Sequence, residues 1–335
     1  MAMAQQPADE FRFGIEIELH LASRTQKHTQ WKFLATELSG RLAQAGIANH
    51  IKEAEDKSAS KYRKWSIVKE LTIPENTAEY RFGLELVSPI YTPATPTWAP
   101  DLDTIFTTLT TSFHLQPHDK CATHIHISRG GPTPLSAAEL ATVAHAALHH
   151  EGALDTLMPR HRRGQTGSNA YWARSNRLAP PLAGLSLREC LRHIDAAGGL
   201  FGGGLYPVVR AMNLFPRASV RGVVCGATED FVHGKGYKWD FTGMLSARGT
   251  VEFRQPPGSV AAGDAAAWAR LAVAFVAGAL EVGSVGTEEG GVGEAGASVE
   301  ALWELLGRGG RSLGWGDLGD VRGLLSRDGG GGGGC

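Results

Sequence analysis

This sequence predicts an α+β fold, and three observations carry the prediction. Period-two alternation recurs from Phe11 to Leu21, through KWSIVKELTI and YRFGLELVSPIY, and again in CATHIHIS and TVEFRQPP. Stretches with apolar residues at helical spacing are dispersed among these runs. The two kinds of segment do not alternate one for one, which argues against repeated βαβ units. A chain of 335 residues, 42% hydrophobic and 20% charged, is long and apolar enough to bury a full core.

Residues 1–10 read as a disordered leader. The first strand puts Phe13, Ile15, Ile17 and Leu19 on one side and Gly14, Glu16, Glu18 and His20 on the other. Trp31, Leu34, Leu38 and Leu42 then predict a helix that Gly46 is placed to end. Residues 47–92 return to strand, with Pro74 in the turn between the two clear runs. Asp101 is expected to cap a second helix carrying Leu102, Ile105, Phe106, Leu109 and Phe113. After the strand CATHIHIS, capping boxes at Ser136–Glu139 and Ser186–Glu189 open two more helices, the first running through Leu148. Residues 152–184, rich in Arg, Gly and Pro, read as an extended loop, and 198–204 (GGLFGGG) as a hinge or lid. TVEFRQPP leads into a long helix from Asp264. Residues 11–282 are thus expected to form the working domain. Residues 283–335 are expected to form a Gly-rich linker, short helices over 299–306 and 317–325, and a flexible tail.

Lys plus Arg number 33 against 34 acids, which leaves no electrostatic reason to expect nucleic acid or an anionic membrane as partner. Cys121, Cys190, Cys225 and Cys335 are widely spaced without a CxxC pair and read as reduced thiols. The N-terminus has no signal-peptide pattern, and the apolar stretch 271–282 is too short to cross a bilayer. A soluble, cytoplasmic protein is expected.

The chemistry concentrates on the polar faces of the strands. Glu16 and Glu18 point the same way about 6–7 Å apart; such a pair repels unless water or a hard cation such as Mg²⁺ intervenes. On their own they also fit a solvated strand face. His124 and His126 repeat the geometry, as metal ligands, phosphate donors or merely half-buried imidazoles. Glu85 is an acid inside an apolar run, costly to bury unpaired. Glu252 and Arg254 offer an acid for a cation beside a guanidinium for a phosphate. One concave sheet with a polar inner surface accounts for all four strands together.

The segments FGIEIE, W-x-I-x-x-E-L-T from Trp65, LELVSP, THIHIS and EFR, in this order, resemble the amidoligase family, a branch of the glutamine synthetase-like carboxylate–amine ligases. The resemblance runs from about residue 11 to 280. It implies a glutamine synthetase-like curved antiparallel β-sheet with helices packed on its outer face, holding ATP and Mg²⁺ (or Mn²⁺). It implies Glu16, Glu18, Glu85, His124 and Glu252 as metal ligands, His126 and Ser128 towards the nucleotide, and Arg254 on the γ-phosphate. Glu70 and Arg162 complete the implied catalytic set, Arg162 (or Arg160) coming from an Arg-rich segment whose Asn169 and Tyr171 match the family. The implied reaction activates a small-molecule or peptide carboxylate as an acyl phosphate that an amine displaces; oligomers are possible. The chain departs from the expected pattern at Glu70 and Thr72 (in place of Asp and Ser), at Ala122 (in place of Gly) and at Asp240 (in place of Asn).

Two other readings share these residues: a metal-dependent hydrolase built on the HxH pair, and a non-catalytic protein on a ligase scaffold. His145, His149 and His150 lack the HExxH order of a zinc helix and are expected on a helix surface. No dinucleotide-binding or P-loop glycine pattern and no GxSxG is present.

Overall fold

The computed structural model describes residues 11–52, 62–131, 134–164, 172–199, 204–213, 234–283, 293–319 and 321–323. The leader, Asn169, Tyr171, residues 200–203, Cys225 and the Gly-rich tail lie outside the described residues.

The alternating runs pair as the pattern demands. β1 (Phe11–Ser23) lies at the centre, between β4 (Phe82–Val87) and β6 (Thr123–Arg129), both antiparallel to it. β3 (Trp65–Lys69) continues the sheet beyond β4, followed by β2 (Asn49–Ile51); beyond β6 come β8 (Val251–Phe253) and β7 (Trp239–Asp240), while β5 (Phe113–Gln116) pairs with the far end of β1. The sheet is antiparallel except that β2 runs parallel to β3, which corrects the wholly antiparallel expectation. Parallel neighbours need a crossover between them; here it is residues 52–64, most of which lie outside the described residues, and α1 (Trp31–Gln44) precedes both strands.

One face of this sheet is core. Phe13, Ile15, Ile17 and Leu19 of β1, Leu84 and Leu86 of β4, Ile125 and Ile127 of β6, and Val251 and Phe253 of β8 are all buried. The helices α1, α2 (Trp98–Ser112) and α7 (Ala262–Val282) cover that face. Behind α7 stand α3 (Ala137–His149), α5 (Leu187–Gly198) and α6 (Leu205–Met212), with α8 (Val299–Ser312) laid along α7. Both expected capping boxes form, at Ser136–Glu139 and Ser186–Glu189.

Several boundaries move. α2 starts at Trp98, not after Asp101, because Pro100 fits the first turn, where no intrahelical N–H bond is required. Asp101 instead sits inside that turn and accepts from the Tyr91 hydroxyl at 2.7 Å. The strand from Trp65 stops at Lys69, and residues 70–73 fold over β4. Residues 152–184 are not all loop: α4 (Glu151–Thr156) and short 3₁₀ turns at Arg160–Arg162 and Asn176–Leu178 occupy much of the stretch. The long apolar helix begins at Ala262 and, at 21 residues, meets the length of a membrane span, but it lies mostly buried in the fold. His145 is fully buried and His150 packs edge-on against Phe275, so this histidine run is an interior one, not a surface one.

Candidate active site

The other face of the sheet gathers the polar residues, and register does the gathering. Glu16 lies opposite His124, Glu18 opposite Glu85, and His126 opposite Glu252. Like charges directly opposite each other destabilise a sheet, so the Glu18–Glu85 pair is costly whenever both carboxyls are ionised. Glu70 joins them from the fold-over after β3: its carboxylate accepts from the Thr72 amide at 2.7 Å and the Thr72 hydroxyl at 2.6 Å. Gly83 permits this approach, since a Cβ there would meet Ile73 Cβ at 2.6 Å and the Glu70 carbonyl oxygen at 2.8 Å.

These side chains line a cavity of about 280 Å³ together with Arg162, Arg254 and, from outside the sheet, Thr72, Lys120, Ala122, Trp172, Lys235 and Arg248. Glu18 accepts from the Ala122 amide at 2.7 Å. Arg254 donates to Glu252 through a short contact. His124 stands 3.6 Å from both Glu16 and Glu252 and 3.8 Å from Glu18, and His126 Nε2 is 3.1 Å from Glu16. A second chamber of about 870 Å³ adjoins the first through Glu16, His126 and Arg248. Its lining includes Arg12, Gly14, Lys52, Tyr62, Ile90, Ser128 and Arg129. Ser128 thus faces the larger chamber and not the acid cluster.

Burial sets the protonation of these groups, and the nearest charges correct it. Glu18 is pushed up to about 8 by burial and then by the charge of Glu70. Glu85 rises for the same reasons, with Glu16 the largest neighbouring charge. Burial would also raise Glu16, but His126 and His124 together outweigh it and hold the carboxyl well below the usual range. His126 moves up in return, burial being overcome by Glu252 and Glu16. His124 is lowered to about 4 by burial and Arg254, which leaves a neutral imidazole able to ligate a cation. Burial would raise Glu252 too, but Arg254, His126 and His124 together outweigh it and keep the carboxyl low. Asp240, buried behind Glu252 and bonded to the Thr242 amide at 2.7 Å, is raised by burial and by Glu252, and it does not line the cavity.

Three overlapping groups of ligand atoms result, each with its atoms within 4.8 Å of one another: Glu16 with His126 and Glu252, Glu16 with Glu85 and His124, and Glu18 with Glu70 and Glu85. Divalent cations suit this donor set. The Glu18–Glu70–Glu85 group is all oxygen, as Mg²⁺ or Mn²⁺ prefers, and the buried His124 Nδ1 and His126 Nε2 have no well-formed hydrogen bond. The two histidines fall into separate groups.

Of the residues expected to bind metal or nucleotide or to act in catalysis, Glu16, Glu18, Glu70, Glu85, His124, His126, Arg162, Glu252 and Arg254 line the smaller cavity and Ser128 the larger. Arg162 faces the smaller one while Arg160 is exposed. Glu70 and His126, expected as a catalytic residue and a nucleotide contact, each also stand in a group of atoms that could hold a metal ion. Lys120, Trp172, Lys235 and Arg248 were missed. They are single residues on connecting segments, without periodicity or motif to mark them.

No curated relative matches the chain. Residues 9–173, which hold β1 through β6, Glu70 and Arg162 but neither Glu252 nor Arg254, match the profile of the family described as "putative amidoligase enzyme". Over those residues, just under half of its length, the chain is similar to the amidoligase family.

Proposed function

We propose that this protein is an ATP-dependent carboxylate–amine ligase, with Mg²⁺ or Mn²⁺ held by Glu16, Glu18, Glu70, Glu85, His124, His126 and Glu252. The observation that carries the reading is the run of three ligand groups sharing Glu16 and Glu85, flanked by Arg162 and Arg254 and opening into a larger chamber. Bound there, the cations would neutralise triphosphate charge.

The chain's own residues divide the remaining work. Arg254, raised in pKa by Glu252 and Asp240 against the effect of burial, stays charged at any physiological pH and can bind the oxygens of a transferring phosphoryl group. Arg162, lowered by burial only to about 10, stays charged too. The larger chamber has room for a nucleoside, with Ser128, Arg12 and Arg248 in reach of phosphate or ribose. The acid and amine would enter past Lys120, Trp172 and Lys235, the part of the smaller cavity not shared with the larger. The reaction transfers the γ-phosphoryl group to the acid; the amine then displaces phosphate from the acyl phosphate to give the amide. ATP as substrate keeps the cytoplasm as the proposed location.

A hydrolase that ligates one zinc ion with both histidines has less support, because their ligand atoms fall in different groups. The test is ADP and phosphate release with Mg²⁺ or Mn²⁺ across panels of acids and amines, beside the Mg·ATP affinity of wild type and Glu16→Ala. Release that needs both an acid and an amine supports the ligase. Wild type and variant binding Mg·ATP equally, with no turnover on any pair, sinks it; stoichiometric zinc surviving dialysis would turn the assignment to hydrolysis.

A further inference from the structure

Among the described residues Lys238 is the lysine that is buried, at 1% exposure, and it does not line the cavity. Its ammonium donates to both oxygens of Asp155, at 2.7 and 2.9 Å, and to Glu151 at 3.1 Å. Asp155 also accepts from the Gln255 side-chain amide at 2.6 Å, and that same amide reaches the Arg162 carbonyl at 3.2 Å. Arg162 in turn donates from Nε to the Gln255 carbonyl at 2.8 Å and from Nη2 to the Arg254 carbonyl at 2.5 Å. The Arg254 amide closes the ring on the Lys238 carbonyl at 2.8 Å. The contacts tie α4, the 3₁₀ turn at Arg160–Arg162 and the end of β8 into one knot.

Stability is a poor reason for this knot. Buried ion clusters are often no more stable than apolar side chains of the same volume, whereas they do impose direction. Here the direction imposed is that of two guanidiniums. Arg162 uses two donor positions on the carbonyls of residues 254 and 255 and turns the rest of its head to the cavity, beside the residue that carries the other guanidinium. We propose that Lys238, acting through Asp155 and Gln255, is a positioning residue that holds Arg162 and Arg254 at a set separation, so that they receive one anion as a pair. The identity of that anion as ATP phosphate rests on the ligase reading; the positioning itself does not.

The test uses the full chain, labelled with ¹⁵N-arginine, as wild type, Lys238→Met, Lys238→Arg and Asp155→Asn. Hydrogen exchange at the Arg162 Nε–H reports the orientation directly. Affinities for Mn²⁺ alone and for Mn²⁺ with a non-hydrolysable ATP analogue report its consequence. In Lys238→Met the exchange is expected to quicken by about tenfold or more, the loss of a hydrogen bond to a charged group. Analogue affinity should fall by about as much, with Mn²⁺ affinity within about twofold of wild type, and Lys238→Arg should recover part of both. Unchanged exchange in Lys238→Met overturns the proposal; if that variant does not fold, unchanged exchange in Asp155→Asn does so. A wild type that binds no analogue ends the ligase reading, while the exchange rates still decide the positioning.

Discussion

At the scale of single residues, the cluster is defined by sharing. Glu16 and Glu85 each belong to two ligand groups, whereas Glu70 belongs to one. Glu16→Ala should therefore weaken Mn²⁺ binding at two sites, by at least about tenfold in affinity. Glu70→Ala should weaken it at one, and Mn²⁺ titration followed by electron paramagnetic resonance counts the sites lost. Equal losses in the two variants would contradict the sharing. The histidines carry a related lesson. His124 and His126 are two residues apart, yet burial and Arg254 hold one neutral while Glu252 and Glu16 help the other keep its proton. Their identical spacing on the strand conceals opposite electrostatic surroundings.

At the scale of elements, two close approaches hold the architecture. Gly83 allows residues 70–73 to lie on β4, which brings Glu70 to the cluster. Gly83→Ala should push that segment away and weaken Mn²⁺ binding at the Glu18–Glu70–Glu85 group, with a smaller effect on the groups containing the histidines. A titration in which all groups weaken equally would rule out this local account. The second approach is between helices. A Cβ at Gly309 of α8 would lie 1.9 Å from the Ala274 carbonyl oxygen of α7, and one at Gly278 would lie 2.3 Å from the Leu305 carbonyl oxygen. Gly309→Ala should cost about 1–3 kcal/mol, the usual penalty for overpacking, read as a lower midpoint in denaturant. Leu302, Leu305 and Leu306 of α8 belong to the main core, so this helix is part of the fold's stability although none of its residues lines the cavity.

At the scale of the whole molecule, the acid cluster opposes folding in the absence of cations. The carboxyl of Glu18 rises from the ordinary 4.5 to about 8, and Glu85 moves the same way, so the folded state keeps protons that the unfolded state has released. Their contribution to stability therefore falls as pH rises from about 4.5 to about 8. His20, His124, His145 and His150, all lowered to about 4, act oppositely, but only between about 4 and 6.5. Above pH 6.5 the acids are left unopposed, and raised His126 adds to their effect. The metal-free protein should lose stability from pH 6.5 to 8, and Mn²⁺ should raise its melting temperature more at pH 8 than at pH 6.5. A metal-free melting temperature that is flat or rising across that range would contradict this.

The sequence by itself determined the strand faces. Alternation at Phe13 to His20 separates core from site, because side chains on a strand alternate strictly between its two faces. It also determined both capping boxes, which depend on residues three apart. The motif set was legible for the same reason, since Glu16 and Glu18, His124 and His126, and Glu252 and Arg254 stand two apart, and Glu85 is the one acid in an apolar run. What only the tertiary structure decided was pairing. Which acid faces which histidine depends on register between strands more than a hundred residues apart, such as β1 with β6 and β6 with β8. The parallel β2–β3 pair, the approach of Glu70 to Glu18 and Glu85, and the loop-borne Lys120, Trp172, Lys235 and Arg248 have no local signal either. The chain opened on acids at Glu16 and Glu18; the fold brought His124, His126, Arg162 and Arg254 to the same cavity.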